Sequence, residues 1–184
     1  CGRPASHCEL KIVDPDDVEV PRGEVGEVVA RGDHMMAGYW NKPKETEDAL
    51  RGGWMHTGDA AYMDSEGYVF IVDRIKDMIV TGGENVYTAE VENAVIKHPA
   101  VAQVAVIGVP DEEWGERVHA VVVRAPDQEV TAEELRDFCR EHIGGYKLPR
   151  SVEFIDALPI SGAGKILKRE LRKAHWGEES RAVH

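Results

Sequence analysis

Three short glycine-containing segments carry groups that can bind a sugar or a phosphate. Thr57-Gly58-Asp59 places a carboxylate beside a glycine, where it can accept hydrogen bonds from a diol such as a ribose, each worth about 1.5–3 kcal/mol. The paired glycines of Thr81-Gly82-Gly83-Glu84-Asn85 let a thin ligand approach the backbone without a Cβ in the way. In Ser161-Gly162-Ala163-Gly164-Lys165 an ammonium group can reach an oxyanion. Each segment, taken alone, is also typical of an ordinary turn.

The segment that ends at Lys165 differs from a phosphate-binding P-loop at two positions. That loop requires the pattern G-x-x-x-x-G-K-[ST]. Pro159 occupies the position of the first glycine, and Ile166 stands where a metal-binding hydroxyl is needed. What remains is a lysine on a Gly-flanked loop before a helix, which we interpret as a point charge for an anionic group.

The composition is that of an ordinary globular chain with an acidic balance. Of 184 residues, 42% are hydrophobic and 30% are charged, and the formal net charge is -12. Attraction to nucleic acid or to an anionic membrane is therefore weak, so an anionic ligand must be held by a few local cations. The sequence shows no apolar run of membrane-spanning length and no secretory signal. Because the three cysteines fit neither a disulfide framework nor a CxxC spacing, we expect a cytoplasmic protein with no metal site in this chain.

The pattern of apolar residues changes near residue 75. Before it, short alternating runs between turn residues predict an antiparallel β region with a loop over Arg51–Asp59. After it, strands alternate with amphipathic helices, predicted around Val91–His98, around Leu135–His142 and over Ile166–Ala174. The predicted fold class is α+β, with the boundary between its two parts in the charged stretch Asp73–Asp77.

Four motifs follow one another along the chain. They are His56-Thr57-Gly58-Asp59, Gly67-Tyr68-Val69-Phe70-Ile71-Val72-Asp73-Arg74-Ile75-Lys76-Asp77-Met78-Ile79, Gly82-Gly83-Glu84-Asn85-Val86-Tyr87 and Leu158-Pro159-Ile160-Ser161-Gly162-Ala163-Gly164-Lys165-Ile166-Leu167. In order and spacing they resemble the late motifs of the acyl-CoA synthetase family, the AMP-forming adenylate ligases that also include luciferase and the adenylation domains of peptide synthetases. The resemblance covers nearly the whole chain, because Gly2-Arg3-Pro4 and Gly23-Glu24-Val25-Gly26-Glu27 resemble connectors of the same family.

The resemblance implies a reaction in two halves. A carboxylate attacks the α-phosphate of Mg-ATP to give acyl-AMP and pyrophosphate, and a thiol, usually that of CoA, then displaces AMP. The small C-terminal domain of that family rotates between the two steps. The implied co-substrates are therefore ATP, CoA and a carboxylic acid.

The same motifs imply roles in the adenylation step. Asp59 and Arg74 would hold the ribose hydroxyls, Lys76 would lie at the hinge, and Lys165 would be the catalytic lysine. Plainer explanations stay open at this stage: Asp59 as the cap of a turn, Arg74 as half of a surface ion pair, and Lys165 as a solvated cation. His56 is expected to pack within its loop.

For the thioester step, the resemblance implies that Gly82 and Gly83 line the channel for the pantetheine arm. Trp114 resembles an aromatic residue that flanks this channel, although a partly buried packing tryptophan explains it about as well. Arg150 is a candidate contact for a CoA phosphate, with an ordinary charged face as the alternative.

The upstream motifs of the family are absent, namely a Ser/Thr/Gly-rich phosphate loop and a Tyr-Gly-x-Thr-Glu segment. We therefore expect the C-terminal part of a ligase. Residues 1–74 are predicted to form a β-rich, distorted barrel-like subdomain at the end of the large adenylation domain, and residues 75–184 the mobile α+β domain. The start on Cys1, within a Gly/Pro loop, fits a piece of a longer chain. Because the triphosphate grip, the Mg²⁺ site and the acyl pocket belong to the absent region, the isolated chain is expected to be inactive.

The acyl substrate is not encoded in this segment, so a medium- or long-chain fatty acid and an aryl acid each fit. The run Gly164–Arg169 is more similar to CoA ligases than to peptide-synthetase domains. A second class of function stays open: a stand-alone, non-catalytic α+β module that binds a nucleotide or a partner protein.

Overall fold

The structure is a computed structural model that describes residues 2–176. The chain divides into two compact units between Lys76 and Asp77, two residues beyond the predicted boundary at 74/75. Among the described residues, no helix is both long enough and apolar enough to cross a membrane.

The first unit is a four-stranded antiparallel sheet in the order β1-β2-β3-β4. Its strands are β1 (Glu9–Val13), β2 (Gly26–Arg31), β3 (Met55–Met63) and β4 (Val69–Arg74), and one short helix, α1 (Pro43–Ala49), lies between β2 and β3. Buried apolar side chains from all four strands form its core: Ile12, Val28, Ala61, Met63 and Val69. Within the described residues the sheet is open, with β1 and β4 at its edges, and it is not the closed barrel that a barrel-like subdomain suggests.

The loop predicted over Arg51–Asp59 is largely strand. Only Arg51–Gly53 forms a short 3-10 turn, and β3 begins at Met55. The strand is irregular, because Thr57, Gly58 and Asp59 lie between the residues that pair with Glu27 and with Val29. Such a bulge interrupts the period-two pattern by which a strand is recognised, which is why the sequence predicted a loop.

The second unit is a mixed sheet built around one long antiparallel pair. Its strands are β5 (Ile79–Thr81), β6 (Glu84–Val86), β7 (Val101–Asp111), β8 (Gly115–Arg124) and β9 (Ser151–Phe154). β7 pairs with β8 along one edge, and the opposite edge of β8 pairs first with β5 and then, in parallel, with β9. The helices are α2 (Thr88–Val95), α3 (Ala132–Arg140) and α4 (Lys168–Trp176). The α+β class is confirmed.

Side chains alternate between the two faces of the β7–β8 pair, so the unit has two apolar cores. On one face, valines of both strands pack with buried residues of α2 and α3, such as Val91 and Leu135. On the other face, Ala105 and Val121 pack with Leu158 and with Leu171 of α4. The sheet therefore lies between a pair of helices and a single helix.

The basic terminal helix begins later than predicted, at Lys168 and not at Ile166. Ile166 forms an isolated antiparallel bridge with Ile160, and the backbone N–H of Leu167 donates to Pro159 O at 2.8 Å. These two residues thus satisfy their backbone groups across a hairpin, which delays the first helical turn.

Helix α3 starts with the capping box that its Thr-x-x-Glu sequence predicts. The backbone N–H of Glu134 donates to Thr131 Oγ1, and Glu134 Oε2 accepts from both the backbone N–H and the hydroxyl of Thr131 at 2.8 Å. Hydrogen bonds from the backbone N–H and hydroxyl of Thr131 lower the pKa of the Glu134 carboxyl.

We predict that Thr131→Ala lowers the free energy of unfolding by about 1 kcal/mol, because one helix N–H loses its acceptor. Thr131→Ser, which keeps the hydroxyl, is the matched control and should lose much less. Since the folded-state pKa of Glu134 is depressed, its capping contribution is present above the unfolded pKa of about 4.3 and is lost as the pH falls through the folded value. Urea unfolding at pH 7 and near pH 3 measures both effects, and a Thr131→Ala cost that does not shrink at the lower pH would contradict the assignment.

Candidate functional site

The Glu27 carboxylate holds the bulge of β3 in place. Its Oε1 accepts the backbone N–H of Gly58 at 2.9 Å, and its Oε2 lies 2.8 Å from His56 Nδ1. The Thr57 hydroxyl donates to Val28 O at 2.8 Å, so the three-residue bulge is tied to β2 at several points. Gly58 has a φ of +72°, which a residue with a Cβ adopts only with strain. The glycine of the motif is therefore required by the backbone.

Asp59 and Arg74 are brought together by this bulge. They are register partners on β3 and β4, and Arg74 Nε lies 3.4 Å from Asp59 Oδ1. The Asp59 side chain is 33% exposed and that of Arg74 is 56% exposed. A ligand can therefore reach both groups, and the carboxylate and guanidinium together offer acceptors and donors to a pair of vicinal hydroxyls.

The surroundings of this segment bear on the plainer explanations that the sequence left open. The Asp59 carboxylate faces Arg74, whereas the Asp59 backbone N–H donates to Thr57 Oγ1, so the carboxylate is not the acceptor of that turn. Arg74 is indeed half of an ion pair. His56 packs as expected, with a side chain only 5% exposed between Glu27 and Asp17.

Gly82, Gly83 and Trp114 form one structure in the second unit. The two glycines are the tight turn between β5 and β6, with φ values of +59° and +85°, which is the backbone that a Gly-Gly hairpin favours. The N–H of Gly82 donates to Trp114 O at 3.0 Å. A Cβ built on Gly82 would lie 2.5 Å from Trp114 Cε3, so the indole covers this glycine closely.

Arg150 joins the same cluster. Its guanidinium carbon lies 4.5 Å from the centroid of the Trp114 ring, and its backbone N–H donates to Val118 O at 2.9 Å. The indole is therefore placed between a glycine turn and a cation. The Trp114 residue is 36% exposed. The cluster combines a flat apolar face with a positive charge.

Lys165 lies in a small hairpin loop between the bridged residues Ile160 and Ile166. Ser161 closes the loop, because its N–H donates to Lys165 O at 2.8 Å and its hydroxyl accepts the N–H of Lys165 at 3.1 Å. The Lys165 side chain is exposed. Within residues 2–176 its ammonium group forms no ion pair.

Helix α4 fixes the chain on one side of this loop through contacts that sequence reasoning missed. Lys168 Nζ lies 2.8 Å from Glu92 Oε1 and donates to the Thr88 hydroxyl at 2.7 Å. Arg172 Nη1 lies 2.9 Å from Asp77 Oδ1, and both side chains are only 14% exposed. The spacing of Lys168 and Arg172, four residues apart on one helix face, was the available signal.

Lys76 lies in the short 3-10 turn Ile75–Asp77, at the division between the two units. Its neighbour Asp77 is the residue that Arg172 holds. Lys76 is thus followed at once by a residue anchored to α4.

Comparison with known proteins identifies the class. The family described as AMP-binding enzyme C-terminal domain matches residues 90–165, and the family described as AMP-binding enzyme matches residues 1–40. The chain belongs to the AMP-binding enzymes, the family of adenylate-forming ligases that its motifs resemble.

Two curated relatives of the chain are named as ligases. Over 183 residues the chain is 48% identical to a fatty acid–[acyl-carrier-protein] ligase of Streptomyces coeruleorubidus, and over 177 residues it is 50% identical to a long-chain-fatty-acid–CoA ligase of Escherichia coli. These matches cover 100% and 96% of the chain but only 35% and 31% of the relatives, so the chain spans about a third of their length. The solved structure of an amide bond synthetase from Marinactinospora thermotolerans superimposes with a TM-score of 0.84 and 42% identity, over 94% of this chain and 36% of that one.

We predict that Gly82→Ala displaces Trp114, because the new methyl group would occupy the space of the indole. Gly83→Ala is the matched control, since Gly83 also has a positive φ but has nothing within 4 Å of a built Cβ. Both substitutions should cost about 1–2 kcal/mol of backbone strain, and Gly82→Ala should cost more. Urea unfolding and the emission of Trp114, obtained by difference from a Trp114→Phe variant, measure the effects. Equal stability losses with unchanged emission would contradict the close packing.

Proposed function

We propose that this chain is the C-terminal part of an AMP-forming acid–thiol ligase that activates a carboxylic acid as acyl-AMP and transfers the acyl group to CoA. In this proposal residues 1–74 are the last β subdomain of the large domain and residues 75–184 are the mobile domain. The observation that carries the proposal is Lys165, an exposed lysine on a Ser161-closed hairpin beside an anchored helix. The match to ligases over the whole chain supports it.

Asp59 and Arg74 bind the ribose of ATP and of the acyl-adenylate in this proposal. The Asp59 carboxylate accepts hydrogen bonds from the two hydroxyls, and Arg74 orients that carboxylate at 3.4 Å. An exposed ion pair of this kind contributes only about 0–1 kcal/mol to folding. Its exposure leaves both groups accessible to a ligand, and the role that we propose for it is ribose binding.

Lys165 supplies positive charge where the acid and the triphosphate meet. Two like charges 4 Å apart repel by about 4 kcal/mol at an effective dielectric constant of 20. An ammonium between the carboxylate and the α-phosphate reverses the sign of that interaction, and it is most effective when it is positioned before negative charge develops. The Ser161 hydrogen bonds and the anchoring of α4 hold the backbone of Lys165 for this role.

The cluster of Gly82, Gly83, Trp114 and Arg150 serves the thioester step. A turn without side chains, covered in part by an indole, provides a narrow apolar wall for the pantetheine arm. Arg150 provides a guanidinium for a phosphate of CoA. Lys76 is the hinge about which the mobile domain rotates, so that the Lys165 loop serves the adenylation step and this cluster serves the thioester step. The place of Lys76 at the division between the units supports this role.

ATP and CoA enter the proposal as substrates, and Mg²⁺ as the ion that neutralises the triphosphate. The residues proposed here for ATP comprise one carboxylate that is already paired with an arginine. A hard Mg²⁺ ion requires oxygen ligands that are available to it. We therefore assign the magnesium ligands to the remainder of the ligase.

We predict that Lys165→Ala lowers the rate of acyl-AMP formation by about 10²–10³-fold, the usual cost of removing one preorganised charge or donor. The measurement uses the Escherichia coli long-chain-fatty-acid–CoA ligase with its matched segment replaced by this chain. Thioester formation from supplied acyl-AMP should change little, because Lys165 acts only in the first half. Lys97→Ala, at an exposed lysine of the same unit, is the control. Equal losses in both half-reactions, or pyrophosphate release by the isolated chain that Lys165→Ala abolishes, would contradict the proposal.

We predict that Asp59→Asn raises the KM for ATP about 10-fold or more in the same chimaera, because a charge-assisted hydrogen bond of about 1.5–3 kcal/mol is weakened. Replacing ATP by 2′-deoxy-ATP should then raise the nucleotide KM by a smaller factor in the variant than in the parent, since the missing hydroxyl no longer has a carboxylate to bind. The melting temperature should stay nearly unchanged. An unaltered preference for the ribose hydroxyl would refute the assignment, and Asp16→Asn, at an exposed aspartate away from Arg74, is the control.

A further inference from the structure

One face of helix α4 is fully used in contacts with its own unit. Lys168, Leu171, Arg172 and His175 recur at helical spacing, and the first three contact α2, the smaller apolar core and Asp77. The fourth, His175, lies beside Glu153 of β9, with its Nε2 3.8 Å from Glu153 Oε2. The C-terminal end of α4 therefore contacts the sheet through a polar pair, His175 and Glu153.

His119 of β8 completes a group of three at that point. Its Nε2 lies 3.5 Å from Glu153 Oε2, and its ring centroid lies 4.7 Å from that of His175. One potential ligand atom from each of the three residues lies within 4.8 Å of the other two. The three residues come from β8, β9 and α4, so their spacing in the sequence does not indicate a site.

The environment of His119 is unusual for a histidine in a sheet. Its side chain is only 7% exposed, and Nδ1 lies 2.8 Å from the Ser151 hydroxyl. Within the described residues, the buried Nε2 has no hydrogen-bond partner. An orphaned buried nitrogen is rare and requires an explanation.

Burial, reinforced by the nearby His175, lowers the pKa of His119, while the Glu153 carboxylate opposes this shift. When the proton resides on Nδ1 and is donated to Ser151, Nε2 presents a lone pair to the Glu153 carboxylate and to His175. Two acceptors that face each other repel, and a bound cation removes this repulsion. Arg117, on the same face of β8, adds positive charge nearby, but its guanidinium lies 3.8 Å from the Asp111 carboxylate.

We infer that His119 Nε2, a Glu153 oxygen and His175 Nε2 form a binding site for a divalent transition-metal ion of the zinc class. A tetrahedral zinc ion with ligands at about 2.0–2.1 Å keeps neighbouring ligand atoms about 3.3 Å apart. The two separations from Glu153, 3.5 and 3.8 Å, exceed this by a few tenths of an ångström, and the ligand atoms of the two histidines lie within 4.8 Å of each other, so a bound ion would draw them closer. Imidazole with carboxylate suits zinc, nickel or copper better than magnesium or calcium.

The hydrogen bond between His119 and Ser151 fits this inference. Metal-bound histidines usually donate their second ring N–H to an oxygen, which fixes the tautomer and the ring orientation. In the tautomer with the proton on Nδ1, the Ser151 hydroxyl, on the strand that also carries Glu153, is in position to be that acceptor at 2.8 Å. With a solvent molecule as the fourth ligand, the ion would join β8, β9 and α4. This site is independent of the proposed ligase activity and was not expected from the sequence.

The test is a Zn²⁺ titration of the 184-residue chain against a chromophoric chelator at pH 7.5. We expect one tight site per chain, a rise in melting temperature of about 5 °C or more in excess zinc, and a tetrahedral absorption spectrum with Co²⁺. Glu153→Gln and His175→Asn should weaken zinc binding by at least about 100-fold. Ser151→Ala should weaken it by about 10–100-fold, the loss typical of a residue that hydrogen-bonds to a metal ligand.

His142→Asn is the matched control, because His142 lies against Phe138 on α3 and its loss should leave zinc affinity unchanged. Circular dichroism and melting in the presence of a chelator establish that each variant is folded. Glu153 and His175 are partly exposed, so their substitutions are expected to preserve the fold even where His119→Asn does not. Zinc affinities of Glu153→Gln and His175→Asn equal to that of the wild type, or no stoichiometric zinc binding by the wild type, would overturn the inference.

Discussion

The long antiparallel pairing of β7 with β8 is the constraint on which the second unit depends. The ladder runs from Val101 opposite Arg124 to Asp111 opposite Gly115, and its alternation decides which side chains meet which helix. On one face it buries α2 and α3. On the other it receives α4, and so determines where the lysine hairpin before α4 is attached.

The same ladder also positions the groups at its ends. Trp114 lies in the connection between β7 and β8, so the reach of that connection brings the indole onto Gly82. His119 lies within β8, on the face that α4 covers. In the first unit a single carboxylate has a comparable role, since Glu27 holds the irregular part of β3 and thereby the register of Asp59 with Arg74.

Local patterns predicted what depends on neighbours in sequence. Short-range rules predict helices α2 and α3 and the capping box at Thr131. They also predict the glycine turn between β5 and β6. The first part of β3, residues 55–59, was predicted as a loop, because its bulge is held by Glu27, about thirty residues away, and leaves no period in its own sequence.

Candidate site residues were predicted from motifs and not from physics alone. The resemblance named Asp59 with Arg74 and Gly82 with Trp114, and both pairs are in contact. Their ligands remain part of the proposal. The spacing of Lys168 and Arg172 indicated a shared helix face, but the partner Asp77 could not be predicted, because contacts between residues 95 positions apart depend on the completed fold.

That ion pair has an evolutionary consequence. Both side chains are only 14% exposed, so removing one partner leaves a poorly solvated charge without its counterion and costs more than replacing both residues together. Asp77 follows the division between the units, and Arg172 follows the lysine hairpin. Substitutions at these two distant positions should therefore be inherited as coupled changes, so the segment around Asp77, transplanted from one ligase to another, requires the helix that matches it.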